Sequence, residues 1–500
     1  MLDDVLLELQ AKIGDLKETI GSKMSAWLAV RDPAGLRSME LEIASVGRQV
    51  ADQITATVLR HIVADPVLRR EASLAARQGG ALRHGGAREV EVTLLGGKKV
   101  RLKGIEYVKP DRRGRPGRPR RSGKRGEGGV GIYPVLAILG IWFGVTPAVA
   151  GEVSRQVADS DSVRAGRAAL ARRGIDLGHK QTLRIVNKVG ARAVDQRQKW
   201  LEQMRINPAV RGVLRGKRVV IATDGGRLRE RVAATRGRRN AKTGHRRYDA
   251  PWREPKLLTI YVIGKDGAIE DEFQPIYDGT LGDADAIFEM LAGYLKALGA
   301  HEARELIFLG DGAEWIWNRV PNLVKALGLN PAGSEKVRQV IDWCHAAGVL
   351  HEIAAVRPNW PEKDKQSWIR RAKKCLHGGK IAALLDLIDG LAIGEWAKGI
   401  NEHRNYFARN IERMQYATFK AAKIPTGSGA IESAVRRVVN MRMKSNGMFW
   451  LEVNAEGMLL LRSYLKAGYF DALTDWSLAT AVPWWTSQNK THAPSTPLGV

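Results

Sequence analysis

Residues 307–318, IFLGDGAEWIWN, form an apolar run that ends in Gly-Asp-Gly, and residues 218–226, RVVIATDGG, repeat the pattern. A carboxylate at the end of a buried strand costs free energy unless something positive meets it. Two such acids on neighbouring strands, Asp224 and Asp311, would repel each other unless a divalent cation sat between them. Hard oxygen ligands with open positions select Mg²⁺, with Mn²⁺ as the substitute. Two such ions about 4 Å apart activate the attacking oxygen and stabilise the leaving one in a displacement at phosphorus.

That chemistry needs a third acid, and residues 425–450, PTGSGAIESAVRRVVNMRMKSNGMFW, supply Glu432. Thr426 or Ser428 would cap a helix that carries Glu432 on its first turns. Val435 and Val439 would face the core, and Arg436, Arg437, Arg442 and Lys444 would face phosphates. Gly427 and Gly429 would let backbone approach DNA or metal closely. Each residue alone has a plainer reading. Asp-Gly after a strand is usually a turn. Glu432 could be a solvated helix residue, and His345 a core histidine. Trp315 and Trp317 read as packing residues, although one could stack on a displaced base.

The elements that must position these acids run from residue 217. A strand ends at Asp224, and a basic loop carrying Arg236, Arg238 and Arg239 follows. Two more strands flank Asp266-Gly267, and a helix with Asp283 as its N-cap comes next. A strand then ends at Asp311, a helix follows, and residues 337–345, VRQVIDWCH, read as a strand carrying Asp342 and His345. The order β-β-β-α-β-α-β predicts a mixed five-stranded α/β sheet with helices on both faces. It matches the RNase H-like fold, in which the first and fourth strands lie side by side, so Asp224 and Asp311 would be neighbours.

The chain has 500 residues, with room for about three domains. Its net charge of +27 points to a polyanionic partner, nucleic acid by default. Two cysteines, Cys344 and Cys375, exclude a disulfide scaffold and a cysteine-built zinc finger. The acidic N-terminus does not read as a signal peptide. Residues 130–150 carry no charge, but Gly144 and the pair Thr146-Pro147 split them into two helices rather than a membrane span.

Residues 1–70 read as helical. Leu2, Leu6, Leu9, Ile13, Leu16 and Ile20 follow heptad spacing, which fits either a dimerising coiled coil or a helix packed on its own chain. Residues 71–129 hold a hairpin around Gly96-Gly97 and then an arginine-rich arm. The arm includes Arg113, Arg115, Arg118, Arg120 and Arg121, and its Arg-Gly-Arg-Pro resembles the core of an AT-hook. A plain solvated basic linker is the alternative. Residues 130–210 read as helices. Lys180, Gln181, Thr182, Arg184 and Asn187 follow a small-residue turn, as in a helix-turn-helix reader. Residues 211–470 hold the catalytic region, and 471–500 read as a tail.

The strings ATDGGR, RRYDAPWREPKLLTIYV, GDGAEWIWN, DWCHAAGVLHEIA and GSGAIESAVRRVVNMRMKSNGMFW resemble bacterial insertion-sequence transposases of the DDE class, specifically the Kra-type family. YPVLAILGIWFGVTPAVAGEV and RAALARRGIDL resemble the region before that family's catalytic domain. The resemblance covers roughly residues 130–465. It implies Asp224, Asp311 and Glu432 as a metal-binding catalytic triad, with Asp342 and His345 in support. It also implies a helical insertion at about 346–425. Relatives often carry a zinc-ribbon-like cysteine patch before the catalytic region, and here the segment 109–125 stands in its place. The expected activity is cleavage at transposon ends in double-stranded DNA, then joining of the 3′ ends to target DNA by transesterification. The enzyme would act as a homodimer or higher oligomer on DNA, in the bacterial cytoplasm at the nucleoid and not at a membrane. The alternatives are an RNase H-like nuclease without strand transfer and a transposase-derived DNA-binding protein without catalysis.

If the arm binds DNA, neutralising Arg113, Arg115, Arg118, Arg120 and Arg121 flattens the salt dependence of binding. Each lost phosphate contact removes about 0.9 from the log–log slope. Fluorescence anisotropy against salt reads this directly, and an unchanged slope removes the arm from the interface.

Overall fold

The computed structural model describes residues 2–30, 32–78, 83–108, 132–206, 212–233, 241, 247–330 and 336–478. The arginine-rich arm with Arg113, Arg115, Arg118, Arg120 and Arg121 lies outside the described residues, as do Arg236, Arg238 and Arg239. The chain divides into two compact units, residues 1–192 with 471–500, and residues 193–470.

In the first unit α1 (Leu2–Val30) folds against α2 (Pro33–Ala64). Asp32 caps α2 by accepting from the Gly35 N–H at 2.7 Å, and Pro33 takes the first helical position, where its missing N–H costs nothing. Lys23 pairs with Glu42 across the two helices. Of the heptad stripe, Ile13 and Ile20 stay exposed, so α1 packs on its own chain yet leaves apolar side chains open. The side chains of Leu2, Leu6, Leu9 and Leu16 lie outside the described set.

Helix α3 (Pro66–Gln78) begins at Asp65, whose carboxylate accepts from Leu68 N–H at 2.7 Å, so the boundary expected at residue 70 falls inside a helix. Strands β1 (Arg83–Thr93) and β2 (Lys99–Val108) form the expected hairpin, with Val92 opposite Val100 and Val90 opposite Leu102. Its apolar face joins Val63, Ala72, Leu136 and Ile141 in one core cluster. The turn is held by buried Asp52 of α2, which accepts from Gly96 N–H and Lys98 N–H, both at 2.8 Å.

The uncharged segment is broken as its glycine and proline require. Helix α4 (Pro134–Ile138) ends, Gly144 takes φ +72°, and α5 (Pro147–Asp159) starts behind the Thr146 cap. Among the described residues no helix is long and apolar enough to cross a membrane. Helix α6 (Val163–Arg172) and α7 (His179–Ile206) follow. The segment Phe470–Leu478, expected as tail, is a helix of this unit, fixed by Arg192 Nε donating to the Ser477 carbonyl at 2.9 Å.

The second unit is built on a five-stranded mixed sheet. Strands β3 (Arg218–Gly225), β4 (Lys256–Ile263) and β5 (Ile276–Thr280) form an antiparallel meander. Strands β6 (Glu305–Gly310) and β7 (Val337–Ile341) run parallel to β3, giving the order β7-β6-β3-β4-β5. Residues 218–223 and 257–263 are buried without alternation, as strands covered on both faces require. Helix α8 (Ala284–Ala297), capped by Asp283, packs on β4 and β5, and the short α9 (Glu314–Trp317) and α10 (Val320–Ala326) link β6 to β7. A helical segment follows with α11 (Trp343–Ala355), α12 (Glu362–His377), α13 (Ile381–Asp389), α14 (Ala397–Arg409) and α15 (Tyr416–Ala421). Helix α16 (Gly429–Val435) returns to β3 and β4. A π-helical turn, Arg436–Asn440, leads to α17 (Met441–Met443), and α18 (Glu452–Ala467) packs on β5.

A buried ion cluster ties α7 and α18 to β5. Arg197 donates to Asp278 at 2.8 Å and to the Gly279 carbonyl at 2.9 Å, and it pairs with Glu456 at 2.5 Å. Burial opposes the guanidinium's charge, yet Asp278 and Glu456 hold it firmly protonated. Tyr294 donates to the other Asp278 oxygen at 2.7 Å. Removing one partner of such a cluster strands a buried charge. Arg197→Met therefore destabilises this unit by about 3–5 kcal/mol, read as a lower urea midpoint at unchanged m-value.

Candidate active site

Asp224 is the penultimate residue of β3, and Asp311 immediately follows β6. Because Ala222 pairs with Leu309 in the parallel ladder, each acid lies two residues beyond a matched pair, at the same end of adjacent strands. Asp224 is half-buried and accepts from its neighbour Gly225 N–H at 2.7 Å; Asp311 accepts from Ala313 N–H at 2.9 Å. Gly312 is a seat for an aromatic ring: a Cβ there would lie 1.9 Å from Cε2 and 2.9 Å from the hydroxyl oxygen of Tyr406 on α14. Gly226 similarly leaves room for Val439, which a Cβ would meet at 3.1 Å.

Asp342 and His345 were expected on a strand, but β7 stops at Ile341. Asp342 is instead the N-cap of α11, because its side chain offers the backbone a better partner than a further rung of the ladder. Oδ1 accepts from His345 N–H at 2.7 Å and meets His345 Nδ1 at 3.0 Å. Oδ2 accepts from Ser428 N–H at 2.5 Å. Trp343 N–H donates to the Thr426 carbonyl at 2.8 Å, so the start of α11 is joined to the start of α16.

Ser428 occupies the N-cap position of α16, but its hydroxyl makes no cap. It donates to Glu432 Oε1 at 2.6 Å, one turn on, and so aims that carboxylate. Val435 and Val439 are buried as expected. The next turn widens to a π-helix, and buried Arg462 of α18 donates from Nε to the Val438 carbonyl at 2.6 Å and also bonds the Arg437 carbonyl. Turns of this kind recur at functional sites.

Among the described residues, the group of acids and histidine with mutually close ligand atoms is Asp342, His345 and Glu432, without Asp224 or Asp311; these two act on the group through their charge. Burial raises the Asp224 carboxyl to about 6; Asp311 and Glu432 push the same way, while Gly225 N–H and His345 oppose them. Burial would raise Asp342 too, but the hydrogen bonds from His345 and Ser428 prevail and hold it at about 2. The bond to Asp342 raises His345 to about 9, and Asp311 and Glu432 add to this. His345 is thus an imidazolium at neutral pH, set among four acids. Ligand atoms of Asp342, His345 and Glu432 lie within 4.8 Å of one another. We assign Asp342 to a clamp rather than a ligand, since both its oxygens already accept hydrogen bonds.

Ser428 was expected as a cap and holds Glu432 instead, an i, i+4 pair. Two side chains here escaped the sequence reading. Lys256 lies opposite Gly225 in the ladder; its ammonium pairs with Glu254 at 3.1 Å and sits 4.6 Å from the centre of the Trp315 ring. Tyr406 comes from the helical segment, and its hydroxyl is buried with no hydrogen-bond partner among the described residues.

The cationic surface is only part of the one expected. Arg436 and Lys444 are exposed. Arg442 is buried, 5.3 Å from the Trp450 ring, and Arg437 is half-buried, donating to the Tyr277 hydroxyl at 2.9 Å. Their place on the inward side of the widened helix explains the difference. In the first unit Lys180 and Arg184 are exposed on α7, but Thr182 is buried, and its hydroxyl donates to the Gly178 carbonyl. Gln181 is held by the Phe143 carbonyl at 2.7 Å. After β3 the chain forms short paired strands, with Arg229 stacked 4.9 Å from the Trp252 ring and Arg231 4.4 Å from Tyr248.

Comparison with protein-family models, with curated sequences and with solved structures finds no match.

The Asp342–His345 bond has a direct spectroscopic consequence. The His345 ring should titrate near 9 in wild type, followed by NMR, and fall towards its ordinary value of about 6.5 in Asp342→Asn. By linkage, a raised folded-state pKa contributes stability fully present below about pH 6.5 and lost as pH rises through about 9. A wild-type midpoint near 6.5 would refute the clamp.

Proposed function

We propose that this chain is a DNA transposase of the DDE class, on an RNase H-like catalytic core, that cleaves transposon ends and joins them to target DNA. The observation that carries the reading is the placement of Asp224 and Asp311 at the ends of two adjacent parallel strands, with Glu432 on a helix packed on the same sheet and near enough to help raise Asp224. Three antiparallel strands followed by two parallel to the first, in the order β7-β6-β3-β4-β5, is the arrangement that fold would take. The resemblance to the Kra-type insertion-sequence family and the net charge of +27 support the same conclusion.

The donor set suits a hard divalent cation. Asp224 is raised to about 6 by burial and by two neighbouring acids, a repulsion that such an ion would relieve. Asp224, Asp311 and Glu432 would hold Mg²⁺, or Mn²⁺ in its place, which when bound supplies Lewis-acid stabilisation of phosphate oxygens and acidifies water. The chain itself does the positioning. Ser428 fixes Glu432, Asp342 fixes both Ser428 and His345, and the imidazolium offsets the cluster's negative charge.

Two displacements at phosphorus follow one another at this site. Water attacks first, forming one P–O bond as the bond to the 3′ oxygen breaks and frees a 3′-hydroxyl. That hydroxyl then attacks a target phosphodiester, and a new P–O bond replaces the one broken. Arg436 and Lys444 are exposed to hold the backbone near Glu432, with Lys180 and Arg184 on α7 as further contacts. The working form is a homodimer or larger assembly on double-stranded DNA.

Asp224→Asn, Asp311→Asn and Glu432→Gln each keep the side chain's shape and remove its charge. Each should lower both cleavage and joining of a labelled duplex by roughly a thousandfold, the scale of losing a preorganised charge-stabilising group. DNA binding should persist. Mg²⁺-dependent cleavage retained in Asp311→Asn would overturn the mechanism, and cleavage without joined products in wild type would reduce the enzyme to a nuclease.

A further inference from the structure

We propose that the opposite end of the sheet carries a second phosphate-backbone site, a cleft that grips DNA remote from the scissile phosphate. The inference rests on the DNA reading above but uses none of its residues. The cleft has a volume of about 620 Å³ and is lined by Arg218, Lys265, Arg304, Glu305, Arg338 and Ala422. Arg218 opens β3, Arg304 and Glu305 stand at the start of β6, and Arg338 near the start of β7. Lys265 follows the end of the antiparallel β4. The cleft therefore lies at the end of the sheet away from Asp224 and Asp311. Six residue steps along β3 separate Arg218 from Asp224, about 20 Å at roughly 3.3 Å per step. One phosphate cannot reach both.

Two of the cleft's four cations are used internally and two are not. Four cations face one acid, and Glu305 is divided between Arg218 at 2.8 Å and Arg338 at 3.4 Å. The side chains of Lys265 and Arg304 are exposed and have no hydrogen bond or ion pair among the described residues. A concave wall of one sign focuses the field and draws in anions.

The floor is prepared as well. Arg218 is nearly buried and donates to the carbonyls of Ala422 at 2.9 Å and Gly264 at 3.2 Å. Next to Ala422, Lys423 holds a left-handed φ of +55°, which a non-glycine residue keeps only when its surroundings impose it. Four neighbouring strands about 4.8 Å apart spread the cations over about 14 Å, the reach of about four nucleotide steps at about 3.4 Å each. A fixed guanidinium floor with free cations at the rim suits a run of phosphodiesters, which engages several cations at once.

The test is the double variant Arg304→Ala/Lys265→Ala, with both changes at exposed positions, and binding of a duplex of about 30 base pairs followed by anisotropy against salt. Loss of two contacts lowers the log–log slope by about 1.8, twice roughly 0.9 per phosphate. The cleavage rate at saturating DNA stays at the wild-type value. An unchanged slope in a variant that melts like wild type overturns the cleft while leaving the catalytic reading intact. So does a slope that holds while tripolyphosphate binding is lost, since that assigns the cleft to a small anion. Wild type that binds no duplex at all overturns both readings. Arg304→Glu provides the second variant and should weaken binding further.

Discussion

The Asp342 carboxylate is the joint on which the acidic site depends. One oxygen fixes the first turn of α11 and the His345 ring; the other fixes the entry to α16. Its own N–H donates to the Gly310 carbonyl at 2.8 Å, just before Asp311. Three chain segments distant in sequence are thereby held by one buried residue, two of them through its side chain. A hydrogen-bonded carboxylate of this kind is strongest when ionised, because charge-assisted bonds are roughly twice as strong as neutral ones. The site is thus organised by an acid that is spent on geometry, leaving the other acids open.

Charge is laid out along the sheet with a clear polarity. Acids gather where β3 and β6 end, and basic residues where β3, β6 and β7 begin. Parallel strands make this possible, since they place like ends of different segments side by side. The π-turn after α16 shows the same economy. Widening the helix frees carbonyls for Arg462, and that bond anchors the helix carrying Glu432 to α18 without a residue near the acids.

Much of this was legible in the residues. The continuous apolar runs at 219–222 and 306–309 announced covered strands, and Asp-Gly soon after each marked the same end. Gly144 with Thr146-Pro147 announced a break in the uncharged segment. What escaped had no local signature. Tyr406 meets Gly312 across almost a hundred residues, and Lys256 meets Gly225 through ladder register alone. The strand expected through His345 failed because an Asp at a strand end can cap a helix as readily as continue a ladder. Arg442 read as a surface cation because period alone assumes a regular helix, and the π-turn shifts which side faces inward.

The spread of the acids along the chain also has a consequence in time. Asp224 and Glu432 are separated by about 200 residues, and synthesis at about 5–20 residues per second puts roughly 10–40 s between them. During that interval the nascent chain already presents its basic N-terminal half. The residue that clamps the site is made about midway, and the last acid only at its end. A growing chain therefore carries its basic residues well before the acidic site is complete.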